Sequence, residues 1–131
     1  MKSKEPISPE LNLISGKIVE AAYVVHSALG PGLLEGVYEV CLSHELTKGG
    51  LRAERQVGLP IVYDDLHLET GLRLDILVED SVVVELKAVE TILPVHLSQI
   101  LTYLKLSGRR LGLLINFNVP RIKDGIKRVV L

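Results

Sequence analysis

The chain has 131 residues, 47% hydrophobic and 24% charged, which is the composition of one globular domain and not of a disordered, fibrous or membrane-spanning protein. The net charge of −1 lacks the strongly basic character typical of many nucleic-acid-binding domains. A single cysteine excludes an intramolecular disulfide framework, and one cysteine with four histidines is poor material for a zinc site. A single domain over residues 1–131 in a reducing, cytoplasmic compartment is expected.

Charge is unevenly distributed along the chain. From Lys105 onward there are seven basic residues and one acid, whereas residues 52–90 carry nine acids and four bases. The basic end could face phosphates, and ordinary charge scatter on a solvated surface explains it equally well. Residues 1–9 are expected to be flexible, and no run is apolar enough to predict a targeting or membrane segment.

Two helices are predicted before any strand. Apolar residues recur at helical spacing over residues 9–29, and Gly30 with Pro31 ends the run. A second helix is predicted over residues 34–48, with one apolar side and two glycines as its C-terminal stop.

The rest of the chain alternates strands with one helix. Strands are predicted over residues 57–63, 66–78, 82–88 and 111–117, with Gly71 bulging or interrupting the second of them. A third helix is predicted over residues 94–106, and the form of the basic tail from Pro120 stays open. The predicted fold class is α/β, with the order α-α-β-β-β-α-β in a mixed sheet.

Two neighbouring strands of this prediction contain acids. Asp75 lies in one, and the triplet of Glu85, Leu86 and Lys87 lies in the next. Both runs are apolar enough to be buried, where carboxylates are costly unless they are paired or bind metal. Two carboxylates on rigid strands beside an ammonium group suit a hard divalent cation and a phosphate, with the cation supplying an activated water. The pattern predicts a metal-dependent phosphodiesterase site, and the simpler alternative is a structural ion pair without catalysis.

The register of the hairpin between these strands decides whether the two acids share a cation, because side chains alternate between sheet faces. A two-residue turn at positions 79–80 sets Asp75 opposite Val84 and sends Glu85 to the other face. A three-residue loop at positions 79–81 sets Asp75 directly across from Glu85. A shared site therefore requires the longer loop or an equivalent bulge, and Lys87 projects from the same face as Glu85.

Five further residues are candidates for the site, Glu35 as a catalytic and metal-binding residue and the other four in supporting roles. Glu35 begins the second helix, where the helix dipole alone could explain a carboxylate. Gln99 and Tyr103 lie four apart on the third helix and share a face that points either to the sheet or to water. His26 either approaches the Glu35 loop or is a satisfied structural histidine, and Tyr38 packs its ring while its hydroxyl serves as a polar group.

With these residues assembled, the chain resembles the small GxxExxY proteins of the PD-(D/E)XK nuclease superfamily. The naming motif is present as Gly32, Glu35 and Tyr38, and the superfamily signature is present as Asp75 followed by Glu85-Leu86-Lys87. The pair of Gln99 and Tyr103 is similar to an accessory glutamine-tyrosine motif of some branches, and residues 111–117 are similar to the closing strand. The resemblance covers about residues 13–130, and no essential motif residue is missing.

The resemblance implies a restriction-endonuclease-like fold, in which a mixed β-sheet is flanked by helices, and a site that binds Mg²⁺ or Mn²⁺. Asp75 and Glu85 would be direct metal ligands. The backbone carbonyl of Leu86 would add another, and Glu35 would complete or orient the site directly or through water.

The resemblance also assigns roles in the reaction. Lys87 would orient or deprotonate the attacking water and offset charge in the transition state. Gln99 and Tyr103 would support the site or touch the substrate, and Tyr38 and His26 are the remaining supporting candidates.

The expected function is Mg²⁺-dependent hydrolysis of phosphodiester bonds in DNA by metal-activated water. A chain of this size has little area for gripping a duplex, so a homodimer or a larger protein partner is expected, and no membrane. Two alternatives stay open. One is a nuclease-fold binding or assembly module without turnover, and the other is a metal-dependent hydrolase of another phosphate ester.

Overall fold

The structure is a computed structural model that describes residues 5–69 and 71–131. The described residues form three α-helices, seven strands and one short 3₁₀-helix at Ile122–Gly125. The helices are α1 (Pro9–Leu29), α2 (Glu35–Lys48) and α3 (Pro94–Ser107). The strands are β1 (Ala53–Gly58), β2 (Ile61–Tyr63), β3 (Leu66–Leu68), β4 (Arg73–Val78), β5 (Val82–Lys87), β6 (Leu111–Asn116) and β7 (Ile126–Val130).

The main sheet has five strands in the order β1-β4-β5-β6-β7. The pair of β5 and β6 is parallel and the other neighbouring pairs are antiparallel, so α3 forms the crossover that a parallel pair requires. One buried cluster joins α1 and α2 to the sheet, and a second includes residues of α3. The α/β class with a mixed, helix-flanked sheet is confirmed.

The strand predicted over 57–63 differs from the structure, since β1 begins at Ala53 and the run is divided at Pro60, which has no backbone N–H for a ladder. The strand predicted over 66–78 is interrupted before β4, as the sequence analysis allowed, and Gly71 has φ +77° there. The inner pieces, β2 and β3, form a separate two-stranded sheet. The basic tail supplies β7, which pairs with β6 and buries Val129.

The β4–β5 hairpin has the longer loop. Ile76 pairs with Val84 and Val78 pairs with Val82, which leaves positions 79–81 unpaired. Glu79 and Asp80 adopt left-handed backbone conformations, with φ of 52° and 53°. This register meets the condition that a site shared by the two acids requires.

Contacts beyond the hairpin hold the left-handed loop in place. The Arg109 guanidinium donates to the Asp80 backbone oxygen at 3.1 Å and to its carboxylate at 2.6 Å. The Glu79 carboxylate accepts a hydrogen bond from the Arg52 amide at 2.7 Å. These contacts offset the free-energy cost of the left-handed backbone conformation, which is unfavourable for residues other than glycine.

The segment 1–9, expected to be flexible, is described from residue 5, and residues 1–4 lie outside the described part. The Arg110 guanidinium donates to the Glu5 carbonyl at 2.7 Å, and Ile7 packs against the core. Ser8 caps α1 by accepting from the Leu11 amide at 3.2 Å. No helix in the described ranges combines the length and apolar character needed to cross a bilayer.

Candidate active site

Strands β4 and β5 separate where Asp75 and Glu85 face each other. The backbone ladder ends at Ile76 and Val84, and side chains bridge the strands beyond that point. Glu85 Oε1 accepts a hydrogen bond from the Asp75 amide at 3.1 Å, and Asp75 Oδ2 accepts one from the Leu86 amide at 2.8 Å. Each carboxylate is therefore tied to the neighbouring strand, which holds the two acids side by side.

The environment of the two acids opposes their charges. Glu85 is 5% exposed, and burial, followed by the negative charge of Asp75, raises the pKa of Glu85 to about 8. Burial also raises the pKa of Asp75, although the hydrogen bond from the Leu86 amide lowers it. Such shifts in a cluster of acids are typical of functional sites, because ordinary surface carboxylates titrate close to their usual values.

Glu35 stands at the N-terminus of α2, beside this pair. Its carboxylate keeps access to solvent. Partial burial raises the pKa of Glu35, the positive charge of Lys87 lowers it, and the negative charge of Asp75 raises it further. Hydrogen bonding to the Ala88 backbone, just beyond β5, also lowers the pKa of Glu35. The Glu35 carboxyl therefore responds to the charges of the same groups that surround the acid pair.

Tyr38 fixes the loop that leads to Glu35. Its side chain is fully buried, and its ring stacks on Phe117 with the centroids 4.6 Å apart. The hydroxyl donates to the Gly30 carbonyl at 2.6 Å and accepts from the Leu33 amide at 3.1 Å. Gly32, with φ +98° in the same loop, adopts a conformation that L-residues rarely take. The spacing of Gly32, Glu35 and Tyr38 therefore has a local structural basis.

Lys87 and α3 close the other side of the pair. Lys87 Nζ lies 3.4 Å from Gln99 Oε1, and the positive charge of Lys87 lowers the pKa of Glu35, Asp75 and Glu85. The ammonium group therefore acts on the charge of all three acids, although none of the ion pairs within 4.0 Å among the described residues joins it to them.

The polar stripe of α3 reaches the sheet. Tyr103 is buried, and burial, followed by the negative charge of Glu85, raises the pKa of its hydroxyl, while a hydrogen bond with Gln99 lowers it. Of the two interpretations of this stripe, the structure favours the one in which it points toward the acids. A shallow groove of about 330 Å³ continues from it along α3, lined by Leu72, Val95, Ser98, Gln99, Thr102 and Tyr103.

His26 lies apart from the carboxylates. Its Nε2 is 2.8 Å from the Val119 carbonyl oxygen, in the loop after β6, and the residue is 9% exposed. Its ring contacts the Phe117 ring, which stacks on Tyr38. Of the two interpretations of His26, these contacts favour the satisfied structural histidine.

The sequence match agrees with this geometry. The model of the PD-(D/E)XK nuclease superfamily matches the chain over residues 12–129. The chain belongs to this superfamily. Comparison with curated proteins and with solved structures gives no match. Membership indicates nuclease-like phosphodiester hydrolysis with nucleic acid as the general class of substrate, while the GxxExxY branch stays a prediction.

Nucleases of this superfamily generally use divalent metal ions, and the chemistry of the acid pair fits such an ion. Mg²⁺ prefers oxygen ligands and takes one or two protein carboxylates while keeping several waters. Asp75 and Glu85 offer this set, and a cation would relieve the repulsion between them. Within residues 5–69 and 71–131, no group of three or more His, Cys, Asp or Glu side chains converges as a metal cluster. Glu35 therefore stands beside the pair, and the ligand role of the Leu86 carbonyl stays a prediction.

Two basic residues of the C-terminal region lie far from these acids. Lys87 pairs with Asn116 at the C-terminal ends of the parallel strands β5 and β6, whereas Arg109 and Arg110 precede β6 at its other end. Arg109 binds Asp80 there, and Arg110 binds backbone carbonyls near the N-terminus. The contacts of these two arginines favour a structural role for the basic end over a role in binding phosphate.

Three polar residues that the sequence analysis did not single out support the site. Asn116 is 2% exposed, and its side-chain amide accepts from the Val89 amide at 3.1 Å and donates to the Val89 carbonyl at 2.9 Å, which fixes the chain after Lys87. Glu39 is buried on α2 and bonds to Gln56 on β1. Glu39 could have been predicted from its four-residue spacing from Glu35, because that spacing puts both side chains on one face of α2. Gln56 gave no such signal.

Proposed function

We propose that this chain is a divalent-metal-dependent nuclease that hydrolyses phosphodiester bonds in DNA. The observation that carries the proposal is the pairing of Asp75 and Glu85 in the gap between β4 and β5, with Lys87 two residues beyond Glu85 on the same strand. Superfamily membership supports the reaction class. We also propose, on Gly32, Glu35 and Tyr38, that the chain belongs to the GxxExxY branch.

Asp75, Glu85 and the Leu86 carbonyl would hold Mg²⁺ or Mn²⁺, and Glu35 would join them directly or through water. When bound, the cation would supply Lewis-acid activation of water and of a phosphoryl oxygen. Because the pKa of Glu85 is about 8 in the metal-free protein, this carboxyl must release a proton before it can act as a ligand. Cation affinity should therefore rise as the pH increases toward 8.

Lys87 has two roles in the proposed reaction. Its amine would orient or deprotonate the attacking water, and in its charged form it would offset the negative charge that develops on the phosphoryl group. Gln99 contacts Lys87 Nζ, and Tyr103 lies one helical turn further along α3 on the same face, so these two residues would keep the lysine in position. The groove along α3 has hydroxyl and amide groups but no charged side chain, which suits the sugar and base next to the cleaved phosphate.

The substrate is proposed to be DNA held by more than one copy of this chain or by a larger partner, in the cytoplasm. A specific protein–DNA interface buries roughly 1,000–2,500 Å² of protein surface. The accessible surface of this chain is 7774 Å². A duplex would therefore cover roughly an eighth to a third of that surface, which favours sharing the contact with a partner.

A cleavage assay with matched variants tests the proposal. Purified protein is incubated with single-stranded DNA, duplex DNA or RNA, in Mg²⁺, Mn²⁺ or EDTA. Asp75→Asn and Lys87→Ala are compared with Asp65→Asn, in the β2–β3 turn, and Lys17→Ala, on the exposed side of α1. The expected result is divalent-dependent cleavage of DNA that is lost in the first two variants and kept in the two controls.

The other outcomes identify the alternatives. Metal-insensitive binding without cleavage would favour a nuclease-fold binding or assembly module, whose acids are satisfied by the backbone amides that they already bind. Hydrolysis of small phosphate esters without polymer cleavage would favour a hydrolase of another phosphate ester. Cleavage that survives in Asp75→Asn and Lys87→Ala would refute the proposed site.

A further inference from the structure

Gln56 has an unusual backbone conformation at the edge of the candidate site. The pairing of β1 with β4 is regular on both sides of it, from Ala53 with Val78 to Gly58 with Arg73, and Gln56 is the position opposite Asp75. Its φ is +54°, in the left-handed region that residues other than glycine seldom adopt. Such a conformation costs free energy and persists only where surrounding contacts hold it. The strain therefore lies directly across the sheet from a proposed metal ligand.

The side chain of Gln56 joins two carboxylates. Its Nε2 donates to Glu39 Oε1 at 2.7 Å, and from its place opposite Asp75 the same carboxamide lowers the pKa of the Asp75 carboxyl by hydrogen bonding. A carboxamide nitrogen has two hydrogens, so one amide group can serve both acids. The backbone oxygen of Gln56 accepts from Arg73 Nη1 at 3.3 Å, which helps to hold the left-handed conformation.

Glu39 is itself firmly held. It is 7% exposed, and Arg55 donates to its Oε2 from Nε at 3.1 Å and from Nη2 at 3.0 Å. Both arginine nitrogens contact the same oxygen, Oε2, which anchors the carboxylate and leaves Oε1 as the acceptor for Gln56. A continuous chain of contacts thus runs from Arg55 through Glu39 and Gln56 to Asp75, and the proposed chemistry uses only its last member.

We propose that Gln56 is a positioning residue that, oriented by Glu39, holds the Asp75 carboxylate in the direction in which it can bind a divalent cation. The inference rests on the proposed function, because it takes Asp75 as a metal ligand. Partners that orient a ligating carboxylate in this way typically change metal affinity by about 10- to 100-fold when they are removed.

Mn²⁺ binding by the full-length chain, measured by titration calorimetry, tests the role, with urea unfolding measured in parallel. Gln56→Gly removes the side chain but suits the left-handed backbone, so the unfolding midpoint should stay near that of the wild type while Mn²⁺ affinity falls 10- to 100-fold. Gln56→Glu keeps the shape but replaces the donor with a third negative oxygen group, and it should lower affinity at least as much. The matched control is Asp64→Gly, another left-handed residue with φ +50° in the β2–β3 turn, which should leave affinity unchanged.

The outcomes separate this inference from the proposed function. Wild-type binding that is lost in Asp75→Asn but kept in Gln56→Gly would overturn the role of Gln56 and leave the metal site intact. A wild-type chain that binds no Mn²⁺ would overturn both. If Gln56→Gly fails to fold, Glu39→Gln decides the matter: unchanged affinity in a folded Glu39→Gln protein refutes the inference, and a 10-fold or greater loss supports it.

Discussion

Replacing Glu85 with glutamine should stabilise the metal-free protein. Glu85→Gln keeps the size of the side chain and an oxygen for the Asp75 amide, which Glu85 Oε1 binds at 3.1 Å, and it removes a buried charge. Because burial and Asp75 raise the pKa of Glu85 from its ordinary value of 4.5 to about 8, the folded chain holds a proton that the unfolded chain has released between these pH values. The free energy of unfolding of the wild type should therefore fall as the pH rises from about 4.5 to 8.

The pKa difference sets the size of the effect. One pKa unit corresponds to about 1.4 kcal/mol, so the shift of Glu85 should lower the free energy of unfolding at pH 7 by about 3 kcal/mol relative to acidic pH. Glu85→Gln should recover up to about this amount and flatten the pH dependence, while cation-dependent cleavage is lost. The gain arises because an uncharged amide is less costly to bury than a carboxylate that faces another acid.

Urea unfolding at pH 5, 6, 7 and 8 in EDTA measures this change. Glu54→Gln is the matched control, because Glu54 lies on an exposed part of β1 in a surface ion pair with Arg52 at 3.7 Å, and it should change stability by less than about 0.5 kcal/mol. The prediction is refuted if the wild type is equally stable from pH 5 to 8, or if Glu85→Gln is less stable than the wild type at pH 7. Either result would mean that the positive charge of Lys87 compensates the buried Glu85 carboxylate.

Three further substitutions test the supports of the site. Tyr38→Phe removes a hydroxyl with two backbone partners, so urea unfolding should show a loss of about 1–3 kcal/mol, and cleavage should slow because the loop before Glu35 loosens. Asn116→Ala leaves the Val89 amide and carbonyl without their side-chain partner, and hydrogen exchange of that amide should become faster, whereas unchanged exchange would contradict the assigned role. Gly125→Ala would place a Cβ 2.1 Å from the Asn116 carbonyl oxygen, so thermal unfolding should show destabilisation of about 1–3 kcal/mol or more.

Local periodicity was enough to predict the helices. The spacing of apolar residues and the glycine and proline stops predicted α1, and the predictions for α2 and α3 end within one residue of the observed bounds. Asp75 and Glu85 could be identified as candidates because each is an acid inside an apolar strand, where a carboxylate is costly unless it is paired or binds metal. Strand bounds were less predictable where Pro60 and Gly71 divide apolar runs, since the pairing partner of each piece lies elsewhere in the chain.

The sequence by itself determined the α/β class, the order of the helices and of the main strands up to β6, and the identity of the paired acids, because these depend on residue type and on spacing within one element. The tertiary structure alone decided that the acids face each other, because the register of their strands depends on the loop between them. In that loop Glu79 and Asp80 adopt a backbone conformation that glycine usually takes, and Arg109, 29 residues away in the chain, binds Asp80. It also decided that Glu39 and Gln56 approach Asp75 from separate elements. Contacts between residues far apart in the chain leave no periodic signal, so spacing could not predict them.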